Sequence, residues 1–266
     1  MKYISSVQNE SIKQLVALQA KAKIRKDKKQ FVVEGQRELH LAQLGDFNIE
    51  TIFWCPDIFD ENAFLHWSVQ FPEKTDFVKV TLMVYQKIVV RDTTEGVVGV
   101  VWQKNTHLTA WKPRNKAPLV VVLEAIEKPG NLGAILRSSE AAGLDAVLVT
   151  ESHTDIYNPN VIRSSVGGFF SIPIFICTND EAKRFLNQNQ FSIYAASLQK
   201  STSYTNENYM NATAIVMGSE AKGLSSFWYD KGTKPVKIPM HGHVDSLNVS
   251  VATALLIYEA IRQRNC

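Results

Sequence analysis

Short apolar runs separated by amphipathic segments dominate the second half of the chain. The runs cover residues 119–123, 146–149, 192–196, 214–217 and 236–238. Continuous apolar runs of this length are typical of strands that are buried on both faces of a parallel sheet. Helix patterns lie between or after them, at residues 131–142, 181–189 and 246–264. The alternation predicts an α/β domain with a parallel sheet and helices on both of its faces.

The first hundred residues predict a second, smaller α/β domain, because helix and strand patterns alternate there as well. The helix patterns cover residues 11–22 and 38–44, and the strand patterns cover 31–33, 49–54, 77–80 and 97–102. Residues 103–118 contain two prolines and no sustained apolar period, which is typical of a linker. The predicted organisation is therefore a small domain at 1–103, a linker at 104–117 and a larger domain at 118–266.

Composition excludes several classes of protein. Hydrophobic residues make up 45% and charged residues 21% of the 266 positions, as in globular proteins and unlike disordered or fibrous ones. No apolar run approaches the roughly 18 residues of a membrane span, and the polar start of the chain is unlike a secretory signal. Cys55, Cys177 and Cys266 are too far apart for a disulfide framework or a thiolate zinc site. We therefore expect a cytoplasmic protein that does not bind membranes.

Ligands of open α/β sheets bind beyond the carboxyl ends of the strands, so the loops there are the informative places. No Gly-x-Gly-x-x-Gly, P-loop or Gly-x-Ser-x-Gly pattern follows any of the strand patterns. Dinucleotide binding, P-loop chemistry and serine hydrolysis thus lose their usual support.

Three loops carry residues of possible chemical use. In the first, Asn131 is a candidate helix N-cap whose free backbone N–H groups suit an anion, and Arg137 follows about a turn and a half later. An ordinary capped helix with a surface arginine explains that spacing equally well. In the second, the glycines of residues 218–223 allow a ligand to approach the backbone closely. The third places Ser246, Asn248 and Ser250 at one helix start, which exceeds what capping requires.

His241 and His243 in the third loop form a His-x-His pair with no nearby cysteine or carboxylate cluster. Such a pair more often faces solvent than binds a metal. We therefore expect no metal site.

Together the three loops resemble the SpoU family of RNA ribose 2′-O-methyltransferases, in the knotted SPOUT class. The matching positions are Asn131, Gly133, Arg137 and Gly143; Gly218, Glu220 and Gly223; and Ile238-Pro239-Met240, Gly242, Ser246–Ser250 and Ala252. Residues 163–173 also resemble the family, and residues 28–35 and 93–101 resemble the start and end of its small RNA-binding domain. Glu127-Lys128 and Ala134 depart from the family pattern, which more often has an Asp-containing pair and a threonine.

The resemblance implies a C-terminal trefoil-knotted, parallel-sheet SPOUT domain preceded by a small α/β RNA-binding domain. It implies a homodimer formed through the C-terminal domain, S-adenosyl-L-methionine as methyl donor, and a ribose 2′-hydroxyl of RNA as acceptor. The accessory domain favours rRNA over tRNA. The residues expected at the cofactor are Leu198, Gly218, Ile238, Met240 and Leu247.

The resemblance also assigns the catalytic residues Arg137, Asn131, Glu220, Ser246 and Asn248. A guanidinium stays protonated in proteins, so we expect Arg137 to clamp a neighbouring phosphate and lower the pKa of the hydroxyl, rather than act as a base. The proton leaves to phosphate or water. Asn131 positions the arginine, and Ser246 with Asn248 orients the ribose or the arginine. Glu220 either pairs with Arg137 or Lys222 or is a structural carboxylate.

A basic segment near the N-terminus is the expected RNA contact. Six cations and one anion fall within residues 21–29, and the cations are Lys21, Lys23, Arg25, Lys26, Lys28 and Lys29. Such a run gives salt-dependent affinity for phosphates, although a solvated helix end has the same composition. The alternative to an enzyme is a catalytically silent RNA-binding scaffold or ribosome-assembly factor of the same fold.

Overall fold

A computed structural model of the chain describes residues 2–90, 95–111, 113, 115–198 and 201–265. Thr93, Thr94 and Cys266, which entered the sequence analysis, lie outside the described residues. The chain forms two compact units, Met1–Lys104 with Tyr157–Arg163, and Asn105–Ile156 with Ser164–Cys266. The boundaries 1–103, 104–117 and 118–266 stay a prediction.

The first unit is a small α/β domain with a mixed five-stranded sheet. Its strands are β1 (Lys2–Ile4), β2 (Gln30–Glu34), β3 (Ile49–Trp54), β4 (Asp76–Val80) and β5 (Val97–Trp102), in the order β1-β4-β3-β5-β2. Strand β5 is antiparallel to both of its neighbours. The helices are α1 (Glu10–Ala20), α2 (Ala22–Lys28), α3 (Gln36–Leu44), α4 (Glu61–Ser68) and α5 (Leu82–Ile88). The expected small α/β domain is confirmed.

The second unit is built on a seven-stranded sheet in which every strand pair is parallel. Its strands are β6 (Leu119–Glu124), β7 (Ala146–Thr150), β8 (Ile174–Cys177), β9 (Ser192–Ala196), β10 (Thr202–Ser203), β11 (Thr213–Met217) and β12 (Thr233–Lys237). Their order is β10-β12-β9-β11-β6-β7-β8. Strands β6, β7 and β11 are buried along their whole length, as continuous apolar runs predict.

Helices complete the second unit: α6 (Pro129–Ala141), α8 (Gly168–Ser171), α9 (Asn179–Gln188) and α10 (Val249–Arg264). Helix α7 (Pro159–Ser165) is divided between the two units: its first five residues belong to the first unit and its last two to the second. Leu108 and Trp111 are buried in the core of the second unit. Part of the stretch predicted to be a linker therefore packs against the sheet.

Two helix starts differ from the predictions in ways that matter for the site. Helix α6 begins at Pro129 with Lys128 as N-cap, so Asn131 is not the N-cap that we expected. Proline suits the first helical position because its missing N–H would have no intrahelical partner there. Helix α10 begins at Val249, three residues later than predicted, because the Asn248 side chain caps it by accepting from the Ser250 N–H. As a result, the Asn131 side chain does not cap α6, and Ser246 lies outside α10.

Among the described residues, no helix combines the length with the apolar character that crossing a membrane requires.

Candidate functional site

A cavity of about 680 Å³ lies in the second unit at the carboxyl ends of β9, β11 and β12. The loops after these three strands line it, together with the first two turns of α10 and Lys128 before α6. Parallel strands bring these loops to one edge of the sheet although they are far apart in sequence. The volume is within the roughly 300–1,000 Å³ of small-molecule sites.

The structure brings all five expected cofactor residues to this one cavity. Leu198 follows β9, Gly218 follows β11, and Ile238, Met240 and Leu247 lie between β12 and α10. Four of the five supply apolar wall, and Gly218 supplies open backbone. Their role in binding stays a prediction.

The loop after β11 is a tight turn that folds back on itself. The Gly223 N–H donates to the Ser219 carbonyl at 2.9 Å, and the Lys222 N–H donates to Ser219 Oγ at 3.2 Å. A Cβ atom on Gly218 would lie only 2.2 Å from the Gly223 carbonyl carbon. Gly223 itself has a φ of 67°, which favours glycine. Both glycines are therefore required by the backbone path and leave one wall of the cavity as bare peptide.

Three polar residues from the three motif loops form a directional chain of hydrogen bonds. Asn248 Oδ1 accepts from the Ser250 N–H at 2.9 Å and from Ser250 Oγ at 2.6 Å, which turns its Nδ2 outward. That Nδ2 donates to Asn131 Oδ1 at 3.1 Å. Asn131 Nδ2 in turn donates to Glu220 Oε1. The cap of α10 thus sets the orientation of both amides and of the carboxylate.

The partner of Glu220 corrects one of the two interpretations in the sequence analysis, the pairing of this carboxylate with Arg137 or Lys222; a structural carboxylate was the other. Its hydrogen bond goes to Asn131, and within the described residues it forms no ion pair. The physical reason is the early start of α6, which leaves the Asn131 amide unused for capping. Ser246 is exposed and lines the cavity beside this chain of bonds.

Arg137 is exposed on α6, and its guanidinium makes no hydrogen bond or ion pair with the described residues. It is absent from the lining of the cavity. Behind it, Gly168 lets α8 approach α6 closely, because a Cβ there would lie 3.1 Å from the Arg137 Cα. The arginine is thus held on a rigid helix with its charge available.

The charged side chains that line the cavity have both signs. Lys128, Lys222 and Lys237 are exposed there, and none of them forms an ion pair with a described residue. Glu220 and Asp245 are the acidic residues of the lining. Such a site can accept a ligand that carries both a cationic centre and a carboxylate, and its lysines also favour a polyanion at the mouth.

Sequence reasoning missed two features of the cavity. The Tyr229 hydroxyl donates to Ser197 Oγ at 3.1 Å and so joins the loops after β11 and β9. Asp245 was also overlooked, although it immediately precedes the polar run at 246–250. The signal that could have found Ser197 was its position directly after a buried strand.

The two described cysteines are not activated nucleophiles. Burial raises the pKa of the Cys55 thiol, and burial together with Glu181 and Glu151 raises the pKa of Cys177 to about 12. Both are free thiols. His241 and His243 are exposed and do not line the cavity.

In the first unit, five of the six basic residues predicted to contact RNA are exposed on or beside α2. These are Lys21, Lys23, Lys26, Lys28 and Lys29. Arg25 differs, since it is 2% exposed and its Nη1 donates to the carbonyls of Leu18 at 2.6 Å and Gln19 at 2.9 Å. Its guanidinium satisfies carbonyls at the end of α1, so the structure gives it a structural task.

A sequence profile described as the SpoU rRNA methylase family matches residues 118–258, which is more than half of the chain. The chain belongs to the SpoU rRNA methylase family. A second profile, described as an MRM3-like substrate binding domain, matches residues 9–99. The two profiles of this SpoU family member thus cover most of the cavity-bearing unit and most of the small unit.

Solved structures resemble this SpoU family member over nearly its whole length. An RNA 2′-O ribose methyltransferase is 33% identical, covers 99% of this chain and 100% of its own, and gives a TM-score of 0.84. An AdoMet-bound rRNA methyltransferase from Sinorhizobium meliloti is 26% identical, with coverages of 98% and 97% and a TM-score of 0.90. The expected fold class is confirmed: a SPOUT methyltransferase domain preceded by a small α/β domain.

A curated relative, a TrmH family tRNA/rRNA methyltransferase by name from Staphylococcus epidermidis, is 36% identical over 155 residues. The match spans 58% of this chain and 62% of the length of that relative.

The expected cofactor, S-adenosyl-L-methionine, is confirmed by the family and by the cofactor-bound neighbour. The cavity suits such a molecule on its own chemistry. Apolar side chains and bare backbone are available for a nucleoside, and Glu220 and Asp245 are available for cationic groups.

Proposed function

We propose that this protein transfers a methyl group from S-adenosylmethionine to a ribose 2′-hydroxyl of RNA. The observation that carries the proposal is the chain of hydrogen bonds from Asn248 through Asn131 to Glu220, whose two end residues line the 680 Å³ cavity. A module that only bound RNA would need no such array of polar side chains from three segments that are far apart in sequence. The likeness to an RNA 2′-O ribose methyltransferase at 33% identity supports the same reaction.

In this proposal the cavity holds the cofactor, which supplies an electrophilic methyl group when bound. Leu198, Ile238 and Leu247 would contact the apolar parts of the ligand, with Met240 as a further wall. Backbone groups after Gly218 would bind its polar edges, because Gly218 and Gly223 leave the peptide accessible. The protein contributes position and electrostatics rather than a covalent step.

Arg137 is proposed to act on the RNA rather than on the cofactor. A guanidinium binds a phosphate through two parallel N–H donors, which fixes the adjacent ribose and lowers the pKa of its 2′-hydroxyl. The hydroxyl proton then leaves to the phosphate or to water. Asn131 and Asn248 keep the neighbouring polar groups in one orientation, and Ser246 is available to the ribose.

The substrate is proposed to be rRNA. The small unit supports a substrate larger than one nucleotide, since an MRM3-like substrate binding domain profile matches it. Five exposed lysines on or beside α2 give that unit a basic surface, and the S. meliloti neighbour is an rRNA methyltransferase by name.

Phosphate contacts by these lysines predict a measurable salt dependence of RNA binding. Each phosphate contact adds roughly 0.7–0.9 to the slope of log affinity against log salt concentration. Replacing Lys26, Lys28 and Lys29 together with alanine should reduce that slope by about two to three. A filter-binding titration at several salt concentrations measures it, and an unchanged slope would mean that the segment is only a solvated helix end.

We further infer a homodimer, formed through α10 and α6. Val251, Leu255 and Tyr258 lie on one face of α10 and are 48%, 39% and 49% exposed. With Ala254, Ser250 and Ser138 of α6 they line an apolar groove of about 370 Å³. An apolar helix face is unfavourable in water and favours contact with a second copy.

The unpaired cysteines Cys55 and Cys177 are consistent with a reducing, cytoplasmic location.

The experiment that tests the proposed reaction compares wild type with Arg137→Lys. Lysine keeps the charge but loses the two parallel donors, so we expect turnover to fall by about a hundredfold, with RNA and cofactor affinities unchanged. Mass spectrometry of nuclease-digested RNA would detect the 2′-O-methylated nucleoside and identify its position. Near-normal turnover of the variant would contradict the clamp, and cofactor binding without ribose methylation by wild type would contradict the reaction.

A further inference from the structure

The last residue of β6, Glu124, is a carboxylate that none of the motif matches includes. It is 4% exposed, on a strand in the interior of the sheet between β11 and β7. A buried charge is costly unless it is well hydrogen-bonded, and within the described residues Glu124 forms no ion pair with a cation. Its hydrogen-bond partners therefore indicate what this carboxylate does in the fold.

Three hydrogen-bond donors converge on the Glu124 carboxylate, and two of them belong to Ser225. Glu124 Oε2 accepts from the Ser225 N–H at 2.8 Å, and Oε1 accepts from Ser225 Oγ at 2.6 Å. Asn179 Nδ2, at the start of α9, donates to Oε1 at 2.5 Å. Hydrogen bonds to an ionised acceptor are about twice as strong as neutral ones, so Ser225 is firmly held.

Ser225 closes the loop that forms one wall of the cavity. Residues 218–225 leave the sheet after Met217, which pairs in register with Leu123 of β6. They return to the same strand one residue later, where Ser225 meets Glu124. Between these ends the loop is held by its own turn, through the Gly223 N–H bond to Ser219, by the Asn131 bond to Glu220 and by Leu224, which is buried in the core. The contact with Glu124 therefore closes the loop against β6.

We propose that Glu124 is a positioning residue for the cofactor cavity. Its carboxylate holds residues 218–225 in the conformation that presents the Gly218 backbone to the ligand and the Glu220 side chain to Asn131. The inference rests on the proposed placement of S-adenosylmethionine in this cavity. Glu124 itself is absent from the lining of the cavity, so the proposed role is one of positioning and not of contact.

The test separates the acceptor role of Glu124 from its charge. Glu124→Met removes both acceptor oxygens, so the loop loosens and cofactor binding should weaken about tenfold. Glu124→Gln should stay within about threefold of wild type. The Asn179 Oδ1 atom is buried and has no hydrogen-bond partner in the described part of the chain. That amide can therefore turn over to accept from the new Gln Nε2, while the Gln oxygen still accepts from the Ser225 N–H.

A double-mutant cycle assigns the effect to the contact itself. Ser225→Ala is a mild change at an exposed residue and should weaken binding about threefold. Combined with Glu124→Met it should cost no more than Glu124→Met alone, because both changes break the same link. Asn179→Ala is the matched control: it removes the third donor but leaves the loop attached, so cofactor affinity should not change.

Calorimetry with S-adenosylmethionine, well below the unfolding temperature of each variant, measures these affinities. At saturating cofactor the turnover number of Glu124→Met should return to within about threefold of wild type, so that the defect lies in the KM for the cofactor. Unchanged affinity in both Glu124→Met and Ser225→Ala would overturn the inference, and so would an equal loss in Asn179→Ala. A wild-type chain that fails to bind the cofactor would overturn the proposed function, and this inference with it.

Discussion

At the scale of single residues, the orientation of one amide decides what the site can do. Asn131 both accepts from Asn248 and donates to Glu220, so its oxygen and its nitrogen have different tasks. An aspartate at this position keeps the shape and the accepting oxygen but replaces the donor by a second acceptor. The carboxylates of residue 131 and Glu220 would then lie side by side. Repulsion between their charges raises the pKa at which the pair loses its shared proton.

We therefore expect Asn131→Asp to fail at alkaline pH and to recover on acidification. Methyl transfer should be about a hundredfold below wild type near pH 8 and approach it below about pH 6, because one shared proton restores the missing hydrogen bond. The measurement is the ratio of variant to wild-type rate across this range. Asn131→Ala is the control, since it lacks the second carboxylate and should lose the same factor at every pH. A ratio for Asn131→Asp that is independent of pH would contradict the hydrogen-bond chain.

At the scale of elements, the apolar pattern predicted the interior strands well. Strands β6, β7, β9 and β11 are short apolar runs that are largely buried, and burial in a parallel sheet accounts for that pattern. It found only the end of β12, since Lys234 and Pro235 interrupt the apolar pattern there. It missed α4 and α5, which are too short for a repeated apolar period. Asn131 and Ser246 were assigned to helix starts, although the true caps are Lys128 and Asn248. Local propensity leaves such boundaries open, and tertiary contacts select among them.

The end of α10 gives an element-scale prediction. The half-buried Arg264 guanidinium donates to three backbone carbonyls, those of Tyr209 at 2.9 Å, Ala117 at 2.7 Å and Asn211 at 2.7 Å. It thereby ties the helix to the segments that lead into β11 and β6. We expect Arg264→Ala to lower the free energy of unfolding by about 2–3 kcal/mol, because three carbonyls lose a charged donor.

Arg262, two residues away on the same helix, is the matched control. Its side chain is 62% exposed and donates two hydrogen bonds to the Glu259 carboxylate on the same helix, so Arg262→Ala should cost less than about 1 kcal/mol. Urea unfolding measures both variants, and hydrogen exchange of residues 249–264 shows whether the loss lies in α10. Equal effects of the two substitutions would mean that the carbonyl contacts do not anchor the helix.

At the scale of the whole molecule, the cavity depends on contacts between residues that are far apart in sequence. Glu124 and Ser225 are 101 positions apart, and Asn131 and Asn248 are 117 apart. The motifs predicted which loops carry the site, and the family resemblance predicted that these loops together bind the cofactor and carry the catalytic residues. The partner of each side chain could not be predicted, because it depends on the strand order β9-β11-β6 and not on any local pattern.

The apolar face of α10 extends the argument from one chain to two. Leu255 lies at the centre of this face, between Val251 one turn before it and Tyr258 one turn after it. A charge there cannot be buried without a partner, so Leu255→Arg should convert the proposed dimer of two 29.9 kDa chains into a monomer. Light scattering with size-exclusion chromatography measures the mass. Ile176→Arg, at an equally exposed apolar residue on the edge strand β8, should leave the dimer intact. Because Arg137 and the groove residue Ser138 are adjacent on α6, loss of the dimer should also reduce methyl transfer. A fully active monomer would show that the site needs one chain only.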